Sequence, residues 1–236
     1  MFFTSSDHVS NCAKSVIPNQ LFRLDPTTAS QLVTALHHPM LKIQNLEYRY
    51  MIIDKEVYTE PESQQLFEYL DTLEVEYHKQ YKRFNQMVKV PRGQASYTLH
   101  GDIHYDYKVS GGSPPNHVMT DTLKEITAKV NSVLGTNFNT ILLNKYMNGD
   151  DCIGFHKDRE AGWAPNTGFA TLAFGAARDF QVKNDESKVT TTYLHESGHV
   201  VYMPSPMNQH NTHSVPKRKR VISCRISLTF REISDI

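Results

Sequence analysis

Residues 225–231, near the C-terminus, read Arg-Ile-Ser-Leu-Thr-Phe-Arg and alternate polar with apolar side chains. This alternation predicts a β-strand, because successive side chains of a strand point to opposite faces of a sheet. One face carries two guanidiniums and two hydroxyls, and the other face is apolar. Two arginines on an inward face cost several kcal/mol in desolvation unless anions meet them. The pattern therefore predicts an interior that binds a small dicarboxylate.

A second polar pattern, His156-Lys157-Asp158, lies upstream of this strand. In an extended chain, an imidazole and a carboxylate two residues apart point to the same side. One more histidine would complete a set of two histidines and one carboxylate, which suits non-haem Fe(II) enzymes that keep positions open for oxygen and a co-substrate. His213, which opens the sequence His-Ser-Val-Pro before the last strand, is the natural third ligand, and His210 is its rival.

Short strand patterns separated by Gly, Pro and Asn turns fill the C-terminal half of the chain. Such a series is typical of a jelly roll or barrel. Asn144 and Tyr146 share one face of the first strand and add an amide and a phenol to the polar interior. The strands are predicted at residues 140–146, 169–175, 180–183, 189–194, 200–203 and 222–230.

Helix signals lie before these strands. Thr59 and Glu62 form a capping-box pattern that opens one helix. A stripe of apolar residues between Met119 and Leu134, followed by Gly135 as a C-cap, predicts a second helix that braces the barrel.

Residues 79–107 interleave basic and aromatic side chains. Positive charge neutralises phosphates and aromatic faces stack on bases, so this stretch is compatible with nucleic-acid binding. On composition alone, a solvated surface with ordinary sheet aromatics explains the stretch more simply. A second basic run, Pro-Lys-Arg-Lys-Arg at residues 216–220, is interpreted as a phosphate contact, with a plain solvated loop as a nearly equal alternative.

Composition sets limits on the class of protein. The chain has 236 residues, with 25 Lys and Arg against 25 Asp and Glu, so net charge predicts no affinity for nucleic acid. Three scattered cysteines indicate a reducing, intracellular compartment rather than a disulfide framework. The sequence has neither an apolar run long enough to span a bilayer nor a signal-peptide pattern, so we expect no membrane partner. We expect a monomer.

His195-Glu196-Ser197-Gly198-His199 matches the zinc-peptidase motif His-Glu-x-x-His, which requires a helix. Strand-forming residues flank this segment on both sides, and Gly198 falls inside the required helical turn. Without a helix the two histidines do not converge on one metal. The sequence therefore disfavours a peptidase.

Together, Asn144-x-Tyr146, His156-x-Asp158, His213 and residues 225–231 resemble the AlkB family of Fe(II)- and 2-oxoglutarate-dependent dealkylating dioxygenases. The similarity covers about residues 84–233 and is greatest to the eukaryotic members that repair alkylated duplex DNA. It implies an α+β, mainly β fold: a double-stranded β-helix (jelly-roll) core at about 139–233, bracing helices, and an N-terminal nucleotide-recognition lid at about 76–112. We expect residues 21–236 to form this single domain and residues 1–20 to be flexible.

The resemblance also implies roles at the site. Fe(II) would be held by His156, Asp158 and His213, since the family spacing to Arg225 favours His213 over His210. Arg225 would pair with the distal carboxylate of 2-oxoglutarate, and Arg231 would lie near its metal-bound end. Neutral hydrogen bonds to the same co-substrate are expected from Asn144, Tyr146, Ser227 and Thr229.

The implied reaction oxidises 2-oxoglutarate with O2 to succinate and CO2 and hydroxylates an N-methyl group, which leaves as formaldehyde. The implied substrates are 1-methyladenine and 3-methylcytosine in DNA, most readily duplex DNA, in the nucleus if the source is eukaryotic. The same chemistry on RNA or single strands is an alternative, and a non-catalytic nucleic-acid binder is disfavoured by the complete ligand set.

A target base must flip out of the stack, with an aromatic finger filling the gap. The residues implied in substrate contact are Phe84 (the finger), Arg92, Gln94, Tyr105, Tyr107, Glu160, Lys217 and Arg218.

Overall fold

A computed structural model of the protein describes residues 53–77, 80–83, 85–101, 103 and 114–234. These ranges are mainly β-strand, with three helices among them. The strands are β1 (Ile53–Glu56), β2 (Gln80–Arg83), β3 (Gln86–Lys89), β4 (Gly93–Thr98), β5 (Asn116–Val118), β6 (Thr140–Tyr146), β7 (Ile153–His156), β8 (Phe169–Gly175), β9 (Arg178–Asn184), β10 (Thr190–His195), β11 (His199–Met203), β12 (Asn211–Val215) and β13 (Arg225–Arg231).

The strands form a large sheet, a small sheet and a separate hairpin. The large sheet has the order β1-β11-β8-β13-β6-β4-β5, the small sheet has the order β10-β9-β12-β7, and β2 pairs with β3. Every pairing is antiparallel except that between β4 and β5. Phe169 and Tyr146 of the large sheet pack with Phe180, Val182 and neighbouring residues of the small sheet in one apolar cluster. This arrangement is a jelly roll, so the predicted mainly β fold is confirmed, while the nucleotide-recognition lid at about 76–112 stays a prediction.

The alternation along β13 separates two environments. Ile226, Leu228 and Phe230 point to the face of the large sheet that carries the helices, where they are fully buried. Arg225 and Arg231 point to the opposite face, and they too are buried. The apolar face is therefore covered by helices, while the polar face lines the space toward the small sheet.

Two of the helices cover the large sheet as predicted. α1 (Glu60–Asp71) begins at the capping box, in which the backbone N–H of Thr59 donates to Glu62 at 2.8 Å. α2 (Asp121–Leu134) ends at Gly135, whose φ of 68° is left-handed. A third helix, α3 (Ser205–His210), has no counterpart in the sequence prediction because its residues, Ser-Pro-Met-Asn-Gln-His, have no apolar period. No helix within the described ranges has the length and apolar character needed to cross a lipid bilayer.

Several predicted element boundaries are wrong by a few residues. β13 begins at Arg225 rather than at residue 222, because Ile222 lies in the preceding connection with 86% of its surface exposed. β7 ends at His156, so Asp158 follows the strand instead of extending it.

The His-Glu-x-x-His segment is a strand–turn–strand, as the sequence indicated. β10 ends at His195, β11 begins at His199, and Gly198 between them has a φ of 79°. A side chain at Gly198 would also meet the carbonyl oxygen of Tyr58 at 2.2 Å. The segment has no helix, and it therefore lacks the geometry of a zinc peptidase.

Candidate active site

The two predicted histidine ligands lie opposite each other on neighbouring strands. His213 of β12 is the register partner of His156 of β7, and their ring centroids are 4.2 Å apart. Nε2 of His156 lies 3.4 Å from Oδ1 of Asp158, and Nε2 of His213 lies 3.7 Å from the same oxygen. The three ligand atoms lie within 4.8 Å of one another, so the triad has the donor set and spacing for one metal ion.

Both imidazoles are prepared to act as neutral ligands. Nδ1 of His156 is 2.9 Å from the carbonyl oxygen of Gly154. Because a carbonyl only accepts, Nδ1 carries the proton and Nε2 keeps its lone pair. For His213, burial and the neighbouring His156 lower the pKa to about 3. A neutral imidazole is the form that binds a metal.

Asp158 divides its two oxygens between different neighbours. Oδ2 accepts a hydrogen bond from Nη2 of Arg231, while Oδ1 faces the two histidines. Burial opposes ionisation of this carboxyl, but the Arg231 guanidinium and the histidines outweigh it and hold the pKa of Asp158 well below its ordinary range. Asp158 is therefore an anion with one oxygen directed toward the metal position.

The residues predicted to bind the co-substrate form the other end of the same cavity. Arg225 is the register partner of Tyr146, and Ser227 is the partner of Asn144, so these side chains share the inward face of β13 and β6. One cavity is lined both by the metal triad and by these residues. Its lining includes Asn144, Tyr146, His156, Asp158, Phe169, Phe180, His213, Arg225, Ser227, Thr229 and Arg231.

Arg225 is a buried cation whose surroundings suit the binding of an anion. It is 1% exposed, and burial lowers its pKa to about 10. Its Nε and Nη1 have no hydrogen-bond partner among the residues that the structure describes. Buried charged donors without partners are costly, and a guanidinium can donate two parallel N–H groups to one carboxylate, which an ammonium group cannot do. The site therefore fits a dicarboxylate that extends from the metal position to Arg225.

Comparison with known proteins places this geometry in a family. The family model described as the 2OG-Fe(II) oxygenase superfamily matches residues 50–231. The chain belongs to this superfamily. Human DNA oxidative demethylase ALKBH2 is 32% identical over 207 residues, which cover 82% of this chain and 76% of that protein. The mouse protein of the same name is 36% identical over 160 residues, 64% of this chain and 65% of the relative.

A solved structure, that of OsALKBH1, shares the fold. The two structures superpose with a TM-score of 0.52, and the match covers 80% of this chain and 100% of that chain. Because the sequences are only 15% identical, this comparison supports the fold alone. Together with the family match, these relatives confirm the prediction of an AlkB-family dioxygenase that uses Fe(II) and 2-oxoglutarate. The assignment of individual residues to metal and co-substrate stays a prediction that the geometry supports.

The predicted nucleic-acid residues have varied surroundings. Arg92 and Gln94 are buried, and both donate to Oδ1 of Asn144, at 2.8 and 3.0 Å. They therefore orient Asn144, which is predicted to bind the co-substrate, from the interior. Lys217 is exposed, whereas Arg218 donates from Nε to Asp179 at 2.6 Å, so its charge is balanced locally. Phe84, Tyr105 and Tyr107 lie outside the described residues. DNA contact by any of these residues stays a prediction.

Glu160, which the family resemblance implies in substrate contact, packs against α3. Its carboxylate accepts hydrogen bonds from Asn208 at 2.8 Å, Ser205 at 2.9 Å and Gln209 at 2.9 Å. With three donors already bound, the carboxylate fixes the loop after Asp158 to the helix. A carboxylate has about four lone-pair positions, so contact with a base stays a prediction.

Asn208, which the sequence analysis missed, holds the metal loop. The backbone N–H of Asp158 donates to its Oδ1 at 3.0 Å, and its Nδ2 donates to the carbonyl oxygen of Asp158 at 2.8 Å. The side chain is 1% exposed. Asp158 lies beyond the end of β7, so this pair of hydrogen bonds fixes a ligand that no strand holds. A lone Asn in a short helix carries no sequence signal for such a role.

We expect Asn208→Ala to weaken metal binding by about 10- to 100-fold, the usual cost of losing an outer partner of a ligand. Co(II) titration followed by absorbance measures this affinity. Asn131→Ala is the matched control, because Asn131 bonds both the N–H and the carbonyl of Phe138, at 2.8 and 3.0 Å, remote in sequence from the site. An equal loss of metal affinity in both variants would contradict a specific role for Asn208.

Proposed function

We propose that this protein removes N-linked methyl groups from bases in DNA, with 1-methyladenine and 3-methylcytosine in duplex DNA as preferred substrates. The observation that carries the proposal is the cavity that joins His156, Asp158 and His213 to the buried Arg225. The choice of DNA is supported by the human and mouse relatives, which are named DNA oxidative demethylases. RNA or single-stranded substrates are the alternative that the test below addresses.

The chemistry divides between the metal site and the chain. When bound, Fe(II) with 2-oxoglutarate and O2 supplies the oxidation: one oxygen atom converts 2-oxoglutarate to succinate and CO2, and the other hydroxylates the methyl carbon. The bond between that carbon and the base nitrogen then breaks, which releases formaldehyde and restores the base. The protein contributes binding, orientation and exclusion of water.

Named side chains perform these protein tasks. Arg225 binds the distal carboxylate of the co-substrate, and Arg231 holds Oδ2 of Asp158 so that Oδ1 stays directed at the metal position. Asn144, oriented by Arg92 and Gln94, offers its amide to the co-substrate. Leu142, Phe169 and Phe180 line the cavity with apolar surface and limit access of water.

Substrate access requires a flipped base, since a methyl group inside a duplex cannot reach a buried metal. We infer that Phe84 fills the vacated space and that Tyr105 and Tyr107 contact the flipped base. Because net charge is zero, phosphate contacts depend on local clusters. The exposed side chains of Lys217, Lys219 and Arg220, which follow β12, form one such cluster.

The direct test incubates the protein with Fe(II), 2-oxoglutarate and oligonucleotides that carry 1-methyladenine or 3-methylcytosine. Duplex DNA, single-stranded DNA and RNA are compared, and mass spectrometry follows loss of the methyl group. We expect demethylation of DNA, fastest in duplexes, and none with His156→Ala. Phe84→Ala should lose duplex activity while it keeps single-strand activity. Preference for RNA, or no demethylation of any oligonucleotide, would overturn the proposed substrate.

A further inference from the structure

A histidine outside the metal triad contacts the co-substrate arginine. His195, at the end of β10, is fully buried. Its Nδ1 lies 3.1 Å from Nη2 of Arg225, and its Nε2 lies 2.9 Å from the carbonyl oxygen of His199. Nothing in the metal chemistry uses this imidazole, and in the sequence it belongs only to the His-Glu-x-x-His segment.

The contacts with His199 and Arg225 indicate the tautomer of His195, whose ring also interacts with the backbone of Thr171. The carbonyl of His199 only accepts, so Nε2 carries the proton, and the guanidinium of Arg225 only donates, so Nδ1 offers a lone pair. Burial and the Arg225 charge lower the pKa of His195 to about 3. The imidazole therefore remains a neutral acceptor at physiological pH.

The turn that carries His195 is firmly attached to the rest of the fold. The carbonyl of Gly198 accepts from the N–H groups of Val57 and Tyr58, and the N–H of Gly198 donates to Ala173 at 2.8 Å. The hydroxyl of Ser197 accepts from the N–H of Gly175 at 3.2 Å. These hydrogen bonds fix the position of the His195 imidazole next to Arg225.

Because the imidazole of His195 is neutral, its contact leaves the positive charge of Arg225 in place. His195 occupies one N–H of Nη2, so one edge of the guanidinium keeps two N–H groups for an incoming carboxylate. A carboxylate in place of His195 would hold the side chain equally well, but it would neutralise the charge that attracts the ligand. His195 orients the cation and leaves its charge available.

We propose that His195 is a positioning residue that holds the Arg225 guanidinium for the distal carboxylate of 2-oxoglutarate and so sets the selectivity of this site for a dicarboxylate. The inference rests on the assignment of Arg225 to that carboxylate, made under the proposed function. It does not depend on the nucleic-acid substrate.

Two variants separate the contacts of His195. His195→Asn keeps an acceptor close to the Nδ1 position but cannot reach His199, whereas His195→Gln keeps a donor close to the Nε2 position but offers no acceptor at Nδ1. The probes are 2-oxoglutarate and 2-oxovalerate, which has a methyl group in place of the distal carboxylate. Calorimetry on the Fe(II)-loaded protein without O2 gives the dissociation constant of each, and the ratio reports recognition of that carboxylate.

We expect His195→Gln to reduce the preference for 2-oxoglutarate by about 10-fold or more, the order associated with loss of a hydrogen bond to a charged group. His195→Asn should keep the preference within about 3-fold of the unaltered protein, since a neutral acceptor still faces Nη2. In turnover, His195→Gln should raise KM for 2-oxoglutarate and leave kcat nearly unchanged. A purely structural role would instead lower stability in both variants and leave the ratio unchanged.

Arg225→Leu separates failure of the inference from failure of its premise. If Arg225→Leu leaves the preference unchanged, Arg225 does not bind the distal carboxylate and both assignments fall. If Arg225→Leu abolishes the preference while His195→Gln leaves it intact, only the role of His195 is overturned. Nitrogen NMR of histidine in the unaltered protein gives a readout without substitution: a proton on Nδ1 of His195 would also overturn the proposal.

Discussion

Asp158→Ala is expected to abolish 2-oxoglutarate turnover and to lower the free energy of unfolding of the metal-free protein by about 3–5 kcal/mol, the range for breaking one side of a buried ion pair. The substitution removes a proposed metal ligand and leaves the buried Arg231 without its carboxylate. Turnover is measured by succinate production, and stability by urea unfolding after chelation of metal.

A double variant separates the two effects of this change. Asp158→Ala combined with Arg231→Met should recover much of the lost stability, because neither charge of this pair is left buried alone, while turnover stays absent. Asp71→Ala is the matched control: it breaks the ion pair between Asp71 and Lys145, 2.7 Å long, at a site where the aspartate is 47% exposed. Its cost should be at most about 1 kcal/mol. Equal costs for Asp71→Ala and Asp158→Ala would contradict the buried-pair argument.

Arg178→Met is expected to lower the free energy of unfolding by about 2–4 kcal/mol, because three carbonyl groups lose a charged donor. Arg178 is 1% exposed and donates to Asn148 at 3.0 Å, Asp151 at 2.9 Å and Pro216 at 2.7 Å. The bonds join the segment before β7 to the segment after β12, and these two strands carry the histidine ligands. Metal affinity should therefore fall together with stability.

Arg178→Lys is the comparison variant. It keeps the positive charge, but a single ammonium cannot donate in the fixed fork of a guanidinium. We expect an intermediate loss of stability by urea unfolding and a smaller loss of Co(II) affinity. A lysine variant as stable as the unaltered protein would show that charge, rather than the three directed hydrogen bonds, accounts for the role of Arg178.

The sequence predicts which residues belong to the proposed metal site but not their local geometry. The alternation of polar and apolar side chains in residues 225–231 predicted that Arg225 and Arg231 share one face of a strand. In the structure both lie on the inward face of β13. The extended backbone expected from His156 to Asp158 ends at His156, however. The carboxylate reaches the histidines because Asn208, 50 residues further along the chain, bonds its backbone.

The residues missed by the sequence analysis share one property: their partners are distant in sequence. The contacts of Arg178 come from residues 27, 30 and 38 positions away. His195 appears in the sequence as half of a peptidase-like motif, and its contact with Arg225 depends on where β10 meets β13 in space. Side-chain periodicity reports which face is buried, and it carries no information on which polar atoms meet there.

The sharing of Asp158 between the histidines and Arg231 bears on how the site responds to removal of its metal. An acidic ligand whose second oxygen is already matched by a guanidinium does not become an isolated anion when the ion departs, so the emptied pocket has little electrostatic reason to collapse. Stripping with a chelator and reloading with ferrous ion should therefore regenerate full activity from the same molecules.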